Sequence, residues 1–239
     1  MAILREGECV VQVELHSLHL REGFDAPDWI LSEPERHRAA AFRSAEARRL
    51  FVAGRFLCRR ILGSLLACAP QTLSIAITRS GRPYLSDYPD IDFNISHARD
   101  RVVLAICRGG RIGIDIERFD AFSEKEAYEI LPMILSEHEL DQVRQLDARH
   151  RHDAFLACWV QKEAALKCLG QGFLADPQSV TLAPDDTTSS IECQVSGEPI
   201  FIRSGQTAGE ESGDFQWAIA TSRVAAEPQW QHHISGISL

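Results

Sequence analysis

Two stretches hold the residues best suited to chemistry. The first is GIDIERFD, residues 113–120, which reads as buried strand yet contains Asp115 and Glu117. Alternate side chains of a strand share a face, so Ile112, Ile114 and Ile116 point one way and Gly113, Asp115 and Glu117 the other. The two carboxylates then stand roughly 6.5–7 Å apart, near enough to raise each other's proton affinity unless a cation or donor lies between them. An ordinary half-exposed edge strand with an acidic face is the alternative. The second stretch is WVQKEAALKCLGQG, residues 159–172. On a helical wheel Phe155, Trp159, Leu166 and Leu169 form an apolar face, and Glu163 projects between Trp159 and Leu156. A carboxylate there is at least partly buried and must protonate, pair with a cation or bind metal. Lys167 lies one turn further on, and a plain surface pair with Glu163, worth about 0.3–0.5 kcal/mol, is the simpler use of it.

Together, Asp115, Glu117 and Glu163 supply three hard oxygen donors of the kind Mg²⁺ accepts, leaving positions for water and a phosphate. Positive charge lies elsewhere in the chain. Residues 1–112 carry 16 basic and 13 acidic side chains and residues 113–239 carry 9 and 21, within a net charge of −9. Residues 34–62 alone contain eight arginines, at 36, 38, 43, 48, 49, 55, 59 and 60. A local basic patch on an acidic protein suits a small polyanion better than a long duplex. The spacing predicts a helix from Ala45 to Leu66, capped by Ser44 with Glu46 in its first turn. Leu50, Leu57, Ile61 and Leu65 gather on one side of it, with Arg48, Arg55 and Arg59 within about 40° of each other on the opposite side. That row is either a solvated face or a line of planar donor forks along a phosphate site. An arginine-rich helix, an acidic strand pair and a Glu/Lys helix describe a metal-plus-cation cradle for a diphosphate.

The elements that must position these groups follow from local pattern. Strands are expected at the N-terminus, at LSIAIT, IDFNISH and RVVLAIC, and again from SVTLAP to FQWAIATS. Residues 118–146 read as helices broken near Pro132, with Ser136 and Glu139 forming a helix start. A helix over 153–169 is closed by Gly170 or Gly172. TAGEESGD reads as an exposed loop, and the tail from Pro228 onward offers little pattern. Helix followed by strands occurs twice, which suggests two α+β halves joined near residues 108–118. The pairs RHRH at 149–152 and HH at 232–233 lack acidic or cysteine partners at ligand spacing and read as solvated surface. No apolar run approaches the roughly 18 residues of a membrane span, and the N-terminus lacks a signal-peptide pattern. The seven cysteines form no CxxC pair and fit buried thiols of a reducing cytoplasm.

The motifs resemble those of the 4′-phosphopantetheinyl transferases of the longer single-chain, surfactin-synthetase-activating type. GRP at 81–83, FNISHA at 93–98, IGIDIE at 112–117, LSEHE at 135–139 and WVQKEAALKCLGQG at 159–172 are similar to that family's elements, in the same order. The resemblance implies an α+β fold of two similar subdomains, each with a small antiparallel sheet and helices. They would be related by a pseudo-twofold axis, with the active site in the cleft between them. Residues 1–112 would bind the nucleotide end, and 113–239 would carry the metal site and the Glu/Lys helix. It implies a transferase that moves the 4′-phosphopantetheine arm of coenzyme A onto a serine of an acyl or peptidyl carrier protein and releases 3′,5′-ADP. Asp115, Glu117 and Glu163 would hold Mg²⁺ or Mn²⁺, with Asp115, Glu163 and Lys167 catalytic and Glu163 the base. Arg82, Ser96, His97, Lys162 and Lys167 would contact the coenzyme, with Arg36, Arg43 or Arg48 near the 3′-phosphate. Arg82 stands where the family has lysine, which keeps charge and changes reach. A cytoplasmic monomer is expected, meeting its carrier transiently and binding neither nucleic acid nor membrane. The carrier could serve fatty-acid, polyketide or nonribosomal peptide synthesis. The alternatives are a non-catalytic coenzyme A or nucleotide-binding protein and a metal-dependent phosphodiesterase.

Overall fold

The structure is a computed structural model that describes residues 10–170, 176–182, 191–195, 197–207 and 215–234. The start of the expected first strand, Gly172 and nearly all of TAGEESGD lie outside the described residues. The first half runs β1 (Val13–His19), α1 (Glu33–Ala40), α2 (Ala45–Leu65), β2 (Ile75–Ile77), β3 (Pro83–Leu85), β4 (Ile91–Ala98) and β5 (Arg101–Arg108). The second runs β6 (Ile112–Arg118), α3 (Glu124–Ile134), α4 (Glu137–Arg144), α5 (Ala148–Leu169), β7 (Ile191–Val195), β8 (Glu198–Thr207) and β9 (Phe215–Thr221), followed by β10 (Gln229–Ile234).

The halves repeat one plan. In each, an opening strand leads through helices to a hairpin whose last strand returns antiparallel to the opener, as β1-β5-β4 and as β6-β9-β8. The second sheet continues to β7, and β2 with β3 forms a separate ribbon. β6 opens at Ile112, where the division was expected, but β10 crosses back and pairs parallel with β1, so the chain does not separate cleanly there. The tail therefore has a structural role that its sequence does not signal. His233, expected on solvated surface, brings Nε2 within 3.4 Å of the Nδ1 of buried His16.

Local chemistry explains the helices. Ser44 caps α2 by accepting from Ala47 N, and Ser136 with Glu139 forms a reciprocal capping box on α4. Asp147 starts α5 five residues earlier than expected by accepting from His150 N, and Gly170, at φ 72°, ends it in the left-handed region. α3 runs through Pro132 to Ile134, and the break expected near that proline follows at Leu135–Ser136, before α4. That proline sits in the last turn, where it removes one backbone donor and little helix remains to disrupt.

The sheets face each other across Val13, Leu15, Val103, Ile112, Ile114 and Ile116. α2 covers the outer face of the first sheet through Leu57 and Leu62 against Leu18 and Leu104, and α5 covers the second through Val160 and Ala164 against Ile202 and Ala218. At Gly113 helix and strand nearly touch: a Cβ there would stand 2.0 Å from Ala164 O. This contact puts the 113–115–117 face of β6 directly under α5, beside Glu163 and Lys167. No described helix is long and apolar enough to cross a membrane. Among the described residues Cys58, Cys68, Cys107, Cys158 and Cys168 are free thiols.

Candidate functional site

β6 pairs with β9 along one edge, while its other edge lies against side chains of β4. A buried backbone group needs a partner, and alternate β4 side chains act as the missing strand. Asp92 Oδ2 accepts from Ile112 N at 2.7 Å, Asn94 Oδ1 from Ile114 N at 3.1 Å and Ser96 Oγ from Ile116 N at 3.3 Å. Cations serve the carbonyls of the same strand: Arg82 Nη2 donates to Ile112 O at 2.7 Å, and Lys167 Nζ to Ile114 O at 3.1 Å. The seam between the halves is thus a ladder of polar side chains, and it ends at the acidic pair.

At that end Lys167 Nζ lies 2.6 Å from Asp115 Oδ1 and 3.2 Å from Ser96 Oγ, and Ser96 Oγ donates to Asp115 Oδ1 at 2.8 Å. Asp115 is 7% exposed. Lys167 therefore spans from α5 to β6 and does not form the plain helix-surface pair with Glu163 considered above. Burial, reinforced by the charge on Asp115, pushes Glu117 up to about 7 against the pull of Arg118 N and Lys167. Burial and then Asp115 likewise raise Glu163, with Lys167 opposing. Glu117 and Glu163 thus each feel the charges of Asp115 and Lys167. Among the described residues no three His, Cys, Asp or Glu side chains gather in an arrangement that could hold a metal ion. The donor set still suits a hard divalent cation, because it is all oxygen and its negative charge exceeds what Lys167 balances.

Beside this cluster is a cleft of about 630 Å³ between α2, the Gly81–Pro83 turn and β4. Arg38, Phe51, Arg55, Asn94 and His97 line it. The guanidinium carbons of Arg38 and Arg55 lie 5.3 and 5.6 Å from the centre of the Phe51 ring, and Arg55 Nη1 is buried without a hydrogen-bond partner. His97 joins cleft and cluster: enclosure by the cleft walls, then the Lys167 charge, lower its pKa, and Asp115 pulls the other way.

The structure joins Asp115, Lys167 and Ser96 by direct contacts, leaves Glu117, Glu163 and His97 within reach of the Asp115 and Lys167 charges, and places the other expected coenzyme contacts elsewhere. Lys162 is 1% exposed and donates to Glu139 Oε2 at 2.7 Å, Val180 O at 2.8 Å and Pro177 O at 3.2 Å. All three of its donors anchor α5 to α4 and to the 177–182 segment. Arg59, 1% exposed, donates Nε to Glu35 Oε2 at 2.7 Å and Nη1 to Pro70 O and Leu73 O, so the row of three arginines is not one phosphate-lining face. Arg48 is exposed and lies outside the cleft lining, and Arg36 and Arg43 are exposed as well. Arg82 is engaged by protein acceptors along the seam. The sequence reading missed Asp92 and Asn94 as seam residues and Arg38 as a cleft residue. Polar residues at 92, 94 and 96 of a strand otherwise reading as buried were the available signal for the first two.

Two family models match the chain. That for the 4′-phosphopantetheinyl transferase superfamily covers residues 111–220, and that for the 4′-phosphopantetheinyl transferase N-terminal region covers 21–108. The chain is 34% identical over 145 residues to the 4′-phosphopantetheinyl transferase HetI of Nostoc sp., a match covering 59% of this chain and 60% of that protein. It is 30% identical over 175 residues to a 4′-phosphopantetheinyl transferase of Bacillus subtilis, covering 72% and 75% of the two chains. To the 4′-phosphopantetheinyl transferase Sfp of Bacillus subtilis it is 31% identical over 187 residues, covering 72% and 81%. The match to HetI, and one to an L-aminoadipate-semialdehyde dehydrogenase-phosphopantetheinyl transferase of Xenopus laevis, span about 60% of those relatives' length.

Proposed function

Because the chain belongs to the 4′-phosphopantetheinyl transferase superfamily, we propose that it moves the 4′-phosphopantetheine arm of coenzyme A onto a serine of an acyl or peptidyl carrier protein. The observation that carries this reading is Lys167, held by Asp115 and Ser96 with Glu117 and Glu163 alongside, next to a cleft that Arg38 and Arg55 face. The cleft takes the nucleotide end, with its phosphate toward those arginines and His97 at the rim. The diphosphate then extends toward Lys167.

The carrier serine Oγ attacks the phosphorus that bears the pantetheine arm, the bond from that phosphorus to the bridging oxygen breaks, and 3′,5′-ADP leaves. Glu163, whose burial makes it a better proton acceptor than an exposed glutamate, receives the serine proton. Lys167 neutralises charge that develops on the phosphoryl oxygens, in a setting fixed before the substrate arrives. Asp115, Glu117 and Glu163 would hold Mg²⁺, which would offset the charge of the diphosphate when bound. Ser96 keeps Asp115 and Lys167 in place through hydrogen bonds to both.

Mass spectrometry of several apo carrier proteins after incubation with coenzyme A and Mg²⁺ tests the proposal. A carrier that gains one phosphopantetheine arm, with matching release of 3′,5′-ADP, is the expected result. Coenzyme A binding without transfer to any carrier would favour a non-catalytic binder, and nucleotide release that needs no carrier would favour a phosphodiesterase. On the leading reading the protein works as a cytoplasmic monomer, a state that light scattering can check.

A further inference from the structure

Arg82 stands at the point where three pieces of the fold meet. Its Nη2 donates to Asp92 Oδ2 at 2.6 Å, Ile112 O at 2.7 Å and Phe93 O at 3.2 Å, and its Nη1 donates to Lys167 O. Asp92 Oδ2 also accepts from Ile112 N at 2.7 Å, so one ion pair serves both polar groups of the Ile112 residue on the edge of β6 that faces β4. Two bonds to Thr78 close the turn that carries Arg82: Thr78 N donates to Arg82 O at 2.8 Å, and Arg82 N donates to the side-chain Thr78 Oγ1 at 3.0 Å. The guanidinium is therefore aimed from a fixed base. Both ends of the pair are largely covered, at 13% and 19% side-chain exposure.

Ile112 lies three residues before Asp115 on β6, and Lys167 O belongs to the residue whose ammonium meets Asp115. One guanidinium thus grips the backbone on both sides of the Asp115–Lys167 contact. Its terminal nitrogens already meet four protein acceptors, and turning toward an anion would break several of these bonds at once. A lysine here could not repeat the arrangement, because one ammonium lacks a fork wide enough to hold a strand carbonyl and a helix-end carbonyl together.

We infer that Arg82 and Asp92 are positioning residues, a clamp that sets β6 against the end of α5 and so fixes where Lys167 meets Asp115, and that the Arg82 guanidinium is not a contact to the coenzyme. This rests on the transferase reading for its kinetic consequence and on the seam alone for its structural one. Without the clamp the strand and helix end can shift by fractions of an ångström, which is costly in a site that works by placement.

The test compares the wild type with R82A, R82K, D92N and the R82A/D92N double variant. Calorimetry reads coenzyme A affinity and the fraction of competent sites, turnover is measured on an apo carrier protein, and amide hydrogen exchange is followed across residues 112–116. In R82A and D92N, affinity and competent fraction should stay within about twofold of wild type while turnover per competent site falls about 10- to 100-fold. The double variant should be no worse than the worse single, and R82K should behave like R82A. Exchange at Ile112 and Ile114 should quicken in every variant. The clamp is overturned if R82A weakens coenzyme A binding tenfold while D92N does not, which would make Arg82 a substrate contact. Wild-type turnover in both single variants overturns it too. If the wild type transfers no arm, the transferase reading fails by itself, and the exchange measurement still decides: unchanged exchange at Ile112 and Ile114 removes the clamp, and faster exchange upholds it.

Discussion

Lys167 Nζ lies 2.6 Å from Asp115 Oδ1, a contact between a helix and a strand that are 52 residues apart in the chain. It turns two polar residues that could each have been surface decoration into one site, because each partly neutralises the other inside a covered seam. Replacing Asp115 by Asn keeps the shape and removes the charge. Transfer to a carrier protein should fall at least about 100-fold, since the loss falls on preorganised charge in the site. Circular dichroism should stay that of the wild type, and a D115N variant that transfers at the wild-type rate would remove the cluster from the reaction.

Removal of divalent cations should stop transfer, and added Mg²⁺ should restore it. The expectation follows from the all-oxygen donor set of Asp115, Glu117 and Glu163, the last two each under the influence of Asp115 and Lys167. Activity that persists after exhaustive chelation, checked by elemental analysis of the protein, would leave Lys167 as the site's only needed cation.

Gly113→Ala should be among the most damaging small substitutions in the protein. The new methyl would meet Ala164 O at 2.0 Å and Cys168 N at 2.5 Å, both backbone atoms that cannot rotate away. Overpacking of this kind costs about 1–3 kcal/mol and more where backbone must move. Urea unfolding should show a loss of at least about 3 kcal/mol, and a midpoint equal to wild type would mean that α5 does not rest on β6 as described.

Lys162→Met should destabilise the protein by about 3–5 kcal/mol, the usual cost of leaving one member of a buried pair alone. The effect depends on pH. Burial works to raise the Glu139 pKa, but the Lys162 ammonium and the amides of Leu182 and Ser136 outweigh it and hold the value below the ordinary 4.5. A depressed carboxylate contributes stability that is complete above its unfolded value and fades as pH falls through the folded one. Wild type and variant should therefore differ most above about pH 4.5 and converge in more acidic solution, as chemical denaturation across pH can show. A constant gap down to low pH would mean that Lys162 acts through packing alone.

Arg38→Ala should weaken coenzyme A binding about tenfold, the order expected for losing one charged contact to a phosphate, while Arg48→Ala should leave it unchanged. Calorimetric titration distinguishes them. Equal losses would return Arg48 to the site despite its position outside the cleft lining.

The legible part of the molecule was local. Ser44 and the Ser136–Glu139 pair marked helix starts because a capping side chain bonds backbone only three residues away. Alternation at 112–117 separated the buried isoleucines from the acidic face for the same reason, since strand geometry fixes which neighbours share a side. Pro132 marked the break at Leu135–Ser136 between α3 and α4, because a proline in a helix's last turn leaves little helix to follow.

The sequence by itself determined the helices' caps, the two faces of β6 and the set of groups able to handle a diphosphate, all of which depend on residues within a turn or two. Tertiary structure alone decided which charges serve the site and which hold the fold. Arg59 is committed to Glu35, 24 residues away, and Lys162 to Glu139, 23 away, while β10 is drawn back to β1 across most of the chain. A charged group's role follows from which partner it meets as water is removed, and that partner is chosen by packing between distant segments, which leaves no mark on the local pattern.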